Sequence, residues 1–168
     1  PWAPHALFAL AEASLASGDL SEAADRLLLY RELFPNGTLV SKAEERLPFV
    51  YLAMDRFRDA MAAAEVALQS AATAKLKARL FQVQGEAALR LKDIKGALSA
   101  LNAALYTGLD LVGEQRASYH LALAYLQDGQ RSLGIKALQR ASNGPDAELS
   151  ADASLNHAYL LIEDGQLV

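Results

Sequence analysis

The chain has no cysteine, and of its 168 residues only 12 are β-branched: 6 Val, 3 Ile and 3 Thr. The first absence excludes disulfides and thiolate metal sites. The second argues against any sizeable sheet, because strands draw on β-branched and aromatic residues and aromatics make up only 7% of the chain. Basic runs are missing too. Lys and Arg number 16 against 20 Asp and Glu, a formal charge of −4, so nothing here resembles a phosphate-neutralising surface and nucleic acid is not an expected partner. Every leucine run is broken by charge or glycine well short of the roughly 18 residues that span a bilayer, so direct membrane insertion is not expected.

Catalytic signatures are equally scarce. There is no G-x-S-x-G elbow and no glycine-rich phosphate loop. Adjacent acids such as Glu44 and Glu45, beside Arg46, read as a solvated helix face. Of the three histidines, His120 and His157 stand 37 residues apart. Equivalent places on packed neighbouring helices would set them about 9–10 Å from each other. Neither has a second ligand at i+4, where Ala124 and Leu161 stand, so partly buried, hydrogen-bonded imidazoles are expected, with no metal and no cofactor. A chain that is not an enzyme is the expectation.

What is abundant is Ala and Leu, 34 and 31 residues, a strongly helix-favouring mixture. It is also periodic. "ASGDLSEAA" at 16–24 is echoed by "AMDRFRDAM" (53–61), "RLKDIKGAL" (90–98), "QDGQRSLGI" (127–135) and "EDGQLV" (163–168). Ala23, Ala60, Ala97 and Gly134 recur at intervals of 37, as do Leu15, Leu52, Leu89 and Leu126; Ile162 follows at 36. Each unit splits at this turn into two amphipathic segments, such as Leu80, Val83, Ala87, Ala88 and Leu91 followed by Ile94, Ala97, Leu98, Leu101, Ala104 and Leu105. Turn formers at 34–37, 107–108 and 142–145 separate the units, while "QSAAT" is a weaker stop that predicts a blurred boundary. Helices are expected near 5–17, 20–34, 39–54, 56–69, 74–91, 94–107, 113–128, 131–142 and 147–164. Pro48 then falls inside the third helix and is expected to kink it, the alternative being a helix that begins at Leu47.

These residues resemble the tetratricopeptide repeat, a family with a small residue and an aromatic in the first helix, a Gly-Asp-like turn and an early Ala in the second helix. The matching small residues are Ala11, Gly85, Ala122 and Ala158, the aromatics Tyr51 and Tyr125, the turn glycines Gly18, Gly129 and Gly165, and the helix-closing proline Pro35. The chain departs from the family in its 37-residue period, in the loss of the aromatic from units one, three and five, and in Pro48 at a small-residue position. The resemblance implies an all-α, right-handed α-solenoid of stacked antiparallel helix pairs, about nine helices in one array. Its units would be about 4–37, 38–74, 75–111, 112–147 and a partial fifth, 148–168. Because the chain opens on Pro1 without Met or a signal-like segment, it reads as a piece of a longer protein.

By the same resemblance a partner protein or peptide would lie in a concave groove lined by the first helices. The residues pointing there would be His5, Phe8 and Glu12; Lys42, Glu45 and Phe49; Arg79, Gln82, Glu86 and Arg90; Tyr119, Leu123 and Gln127; and Leu155 and Tyr159. Phe8, Phe49, Tyr119 and Tyr159 are the expected anchors. The run "RLLLYRELF" (26–34) reads as a second helix packed between two first helices. The expected role is a non-catalytic interaction scaffold. The alternative is a spacer or self-associating segment of a larger bacterial envelope protein for assembly or export, since "LYRELFPNG" resembles the unit style of such proteins. That likeness favours a periplasmic or outer-membrane-associated setting over the cytoplasm.

Overall fold

The computed structural model describes residues 3–163 and 165. Among the described residues all regular structure is helical, in two compact units, Pro1–Ala72 and Thr73–Val168. The first unit holds α1 (Ala3–Ser17), α2 (Leu20–Leu33), α3 (Val40–Ala53) and α4 (Phe57–Ser70). The second holds α5 (Ala74–Arg90), α6 (Ile94–Thr107), α7 (Leu111–Gln127), α8 (Arg131–Ser142) and α9 (Ala147–Glu163). All ends lie within two residues of those expected, except that the predicted final residue of α9, at 164, lies outside the described residues. So do Pro1, Trp2 and most of the fifth echo.

The repeated turn has a repeated conformation. Gly18, Asp55, Lys92, Gly129 and Gly165 all have φ between 57° and 81°. They stand 37, 37, 37 and 36 residues apart. At the first four the chain reverses through the same bond, in which the amide after the turn residue reaches back five residues: Asp19 to Ser14, Arg56 to Tyr51, Asp93 to Ala88 and Gln130 to Tyr125, at 2.8–2.9 Å. This is the Schellman closure, which satisfies the last carbonyls of a helix and needs a left-handed residue. Asp19 and Asp93 then cap the following helices by accepting from the Glu22 and Gly96 amides.

Behind each turn the second helix presses on the first through its small residue. Ala23, Ala60 and Ala97 are wholly buried, and Gly134 is buried with them. A Cβ on Gly134 would come within 2.7 Å of Leu126 Cδ2, and one on Gly85 within 2.5 Å of Leu101 Cγ and 3.1 Å of the Leu101 amide. Around these crossings the second unit packs Leu101, Ala117 and Leu121 in one cluster, and Ala122, Leu138, Ala141, Ala153 and Leu160 in the next.

Pro48 lies inside α3, as expected: the helix runs from Val40 to Ala53 with Pro48 fully buried, and the alternative start at Leu47 is not adopted. One local expectation is corrected. The "QSAAT" boundary is sharp: α4 ends at Ser70, Ala71 is extended, and Thr73 caps α5 by accepting from the Leu76 amide. In α2, Leu27 and Tyr30 are fully buried while Leu28, Leu29 and Leu33 stay part-exposed, so the apolar run is only half consumed by packing.

Candidate functional site

Within Thr73–Val168 the first helices α5, α7 and α9 are neighbours in series, with α6 and α8 packed behind them as the second helices. On this first-helix face, 34 residues separate Glu86 from His120, and the His120 Nδ1 lies 3.6 Å from a Glu86 carboxylate oxygen. Both side chains are mostly buried, and among the described residues Nδ1 has no hydrogen-bond partner, so the bond expected of the ring is missing at this nitrogen. Burial holds His120 below its ordinary pKa; Glu86 opposes this, and Arg116 and Arg90 reinforce it. His157 turns elsewhere, its Nε2 3.3 Å from the Gln139 amide. Among the described residues no three His, Asp or Glu side chains are grouped to hold a metal ion, and no helix is long and apolar enough to cross a membrane.

Glu12 and Arg46 occupy the same pair of repeat positions in the first unit, two periods before Glu86 and His120. There the guanidinium grips the carboxylate with two bonds, Nε at 2.9 Å and Nη2 at 3.2 Å. Arg46 makes this pair while staying exposed, in keeping with the solvated face expected there, whereas Glu44 is half-buried and sits 3.6 Å from Arg31.

The other expected groove residues divide by burial. Phe8 is half-buried with its ring edge-on to Tyr30, centroids 6.0 Å apart, and so packs toward the second helix. Tyr119 is half-buried against the α8–α9 cluster, and its hydroxyl accepts from the Asn156 amide at 3.3 Å. Glu45, Phe49, Gln82 and Leu123 are half-buried; His5, Lys42, Arg79, Arg90, Gln127 and Leu155 are exposed. Tyr159 is 61% exposed, and its bond to Glu163 raises its pKa.

Two open clefts follow the face. One, about 280 Å³, is lined by Arg79, Gln82, Asp110, Val112, Gly113 and Arg116. The adjoining one, about 170 Å³, is lined by Arg116, Asp146, Glu148, Leu149 and Asp152. Arg116 and Asp152 were absent from the expected groove, yet the signal was there: Arg116 follows Arg79 by 37 residues and Asp152 follows Arg116 by 36. A third cleft, about 530 Å³, opens where α7 begins and α8 ends. Its floor is a structural latch, in which the buried Gln115 Nε2 lies 2.8–3.0 Å from the Ala141 and Asp146 carbonyls and the Ser150 hydroxyl. Its Oε1 accepts from the Asp146 amide.

No family model matches the chain, and no curated protein matches it. Solved structures do. A crystal structure of MamA superposes with a TM-score of 0.76 at 16% identity, covering 98% of this chain and 84% of that one. MamA 41-end from Desulfovibrio magneticus RS-1 gives 0.72 at 19%, covering 97% and 86%. A tetratricopeptide repeat protein from Parabacteroides merdae ATCC 43184 gives 0.76 at 19%, covering 98% and 61%. The chain therefore has the tetratricopeptide-type all-α fold of stacked antiparallel helix pairs.

Proposed function

We propose that the chain is a non-catalytic scaffold that holds a segment of another protein against its first-helix faces. The observation that supports this is the first-helix row of the second unit. It presents exposed side chains of mixed chemistry at repeated positions, Arg79, Arg116 and Asp152 beside Leu155 and Tyr159, whereas the same helices are packed with Ala and Leu behind. Exposed aromatic and Arg side chains on a regular rigid scaffold are the typical anchors of an interface. The test is partner capture followed by cross-linking and mass spectrometry, with Lys42→Ala, Arg79→Ala and Tyr159→Ala. These three side chains are exposed, so helicity and melting temperature are expected to hold while capture falls. Undiminished capture by all three variants would overturn the assignment.

A second reading is self-association, as in a spacer of a larger envelope protein. It is favoured by α1, where Ala6, Leu10 and Ala13 occupy the repeat positions of Ala43, Leu47 and Val50 and of Ala117, Leu121 and Ala124. Leu10 is 50% exposed, against 1% for Leu47 and 6% for Leu121. Light scattering of the chain beside Leu10→Asp discriminates: a larger mass that this change alone reduces supports self-association, and equal monomeric masses rule it out.

A further inference from the structure

We infer that the turn between α6 and α7 is a contact site for a second copy of this chain, with Tyr106 and Leu111 of each copy seated in the cleft beside the turn of the other. Neither the groove anchors nor Leu10 takes part, so the inference stands apart from both readings above.

Tyr106 is 95% exposed, Leu111 71% and Val112 49%, three large apolar side chains within seven residues of chain. The fold does not require them. One repeat away in either direction, with the 36-residue step into α9, the position of Tyr106 holds Gln69 and Asn143, that of Leu111 holds Ala74 and Ala147, and that of Val112 holds Lys75 and Glu148. All six are exposed as well. The helices close equally well over polar or small residues there, so packing within the chain gives no reason for the apolar cluster. A single exposed leucine is ordinary, whereas a cluster of exposed apolar side chains marks an interface, and tyrosine is a favoured anchor.

The surface beside the turn indicates what covers it. Leu111 also lines the cleft of about 530 Å³, with Glu114, Gln115, Arg140, Gly144 and Pro145 among its other walls. The Gln115 latch fixes the floor, so the hollow is preformed. Projecting apolar side chains and an open hollow that share Leu111 are self-complementary: a two-fold axis near Leu111 carries each Tyr106 toward the other copy's cleft, an isologous contact that closes at two copies. Charge agrees. The rim carries one acid and one base, Glu114 and Arg140, 3.3 Å apart and both part-exposed, and the same axis sets Glu114 of each copy toward Arg140 of the other. An anionic membrane surface or nucleic acid would call for a cationic excess, whereas on the other side of the turn Lys75 is balanced by Asp110 at 3.4 Å.

The test is light scattering of the 18.0 kDa chain at concentrations up to about 1 mM, a range in which even a weak contact shows. The mass is expected to reach twice that of the chain and to stop there. Tyr106→Gln combined with Leu111→Ala should weaken the dimer about tenfold or more. Circular dichroism should not change, because Gln69 and Ala74 already serve at these positions in the neighbouring repeat. Glu114→Arg and Arg140→Glu each set like charges across the axis, so each variant alone should lose the dimer. Mixed in equal amounts they should regain it as a heterodimer, resolved by native mass spectrometry. A chain that stays monomeric, masses that grow past the dimer, a dimer untouched by the double change, a dimer lost on Leu10→Asp alone, or no heterodimer on mixing would each overturn the inference. None of these outcomes bears on partner capture through Lys42, Arg79 and Tyr159, which tests the scaffold reading separately.

Discussion

Glu86 and His120 face each other across neighbouring helices at 3.6 Å, and their repeat counterparts Glu12 and Arg46 meet across α1 and α3 at 2.9 Å. One register of the fold thus holds an acid against a permanent cation in the first unit and against a titratable base in the second. Burial, reinforced by Arg116 and Arg90 and opposed by Glu86, holds the imidazole below its ordinary pKa.

This makes stability depend on acidity. The folded-state pKa of His120 lies below the ordinary value of about 6.5, so the unfolded chain takes up this proton first. The stabilisation is complete above about pH 6.5 and is lost as the pH falls through the interval down to the folded-state value. Melting curves at pH 7.5 and 5.5 should show a larger loss for the native chain than for His120→Gln. An equal loss in both would mean that burial of this ring carries no linkage.

The left-handed turns offer a second measurement. Lys92 adopts φ 63° and Asp55 φ 57°, where the equivalent residues are glycine. A long side chain in this region costs about 1 kcal/mol, and Asp tolerates it better. Lys92→Gly is expected to raise stability by roughly 0.5–1 kcal/mol, more than Asp55→Gly does, read by urea denaturation.

Close helix crossings should resist even one added carbon. Gly85→Ala improves helix propensity, yet its Cβ would meet the Leu101 backbone and side chain. The change should destabilise by about 1–3 kcal/mol. Ala97→Leu, at a fully buried crossing, should cost at least as much, whereas Ala16→Leu, at an exposed position, should shift the midpoint little.

The Gln115 latch is the fourth test. Its amide serves the carbonyls of Ala141 and Asp146 and the Asp146 amide, tying α7 to the α8–α9 turn. Gln115→Leu keeps the bulk but strands these buried backbone groups. About 1–3 kcal/mol of stability should be lost, with faster amide exchange at Asp146. Exchange unchanged at that turn would show that the latch is dispensable.

The helices, their ends, the turn and the small-residue crossings were legible in the sequence because each is written locally: an apolar stripe at the helical period, a left-handed turn residue, a methyl or less where two axes meet. The 37-residue echo then fixed which residues are equivalent, and the neighbouring positions of Arg79 and Arg116 follow from it. Equivalence does not say what a side chain touches. Phe8 stood at a groove position and packs on Tyr30; Tyr119 did too, and is joined to Asn156; Arg46 is exposed as expected, yet is clasped by Glu12 from the neighbouring helix. Those outcomes depend on how far each helix is rotated about its axis and on which neighbour lies behind it. A turn of a few tens of degrees carries a ring from solvent into a seam, and no local pattern encodes that angle. The sequence by itself determined the repeated helical hairpin; tertiary packing decided which charges meet, which aromatics are consumed inside, and that the row from Arg79 through Arg116 to Asp152 faces outward.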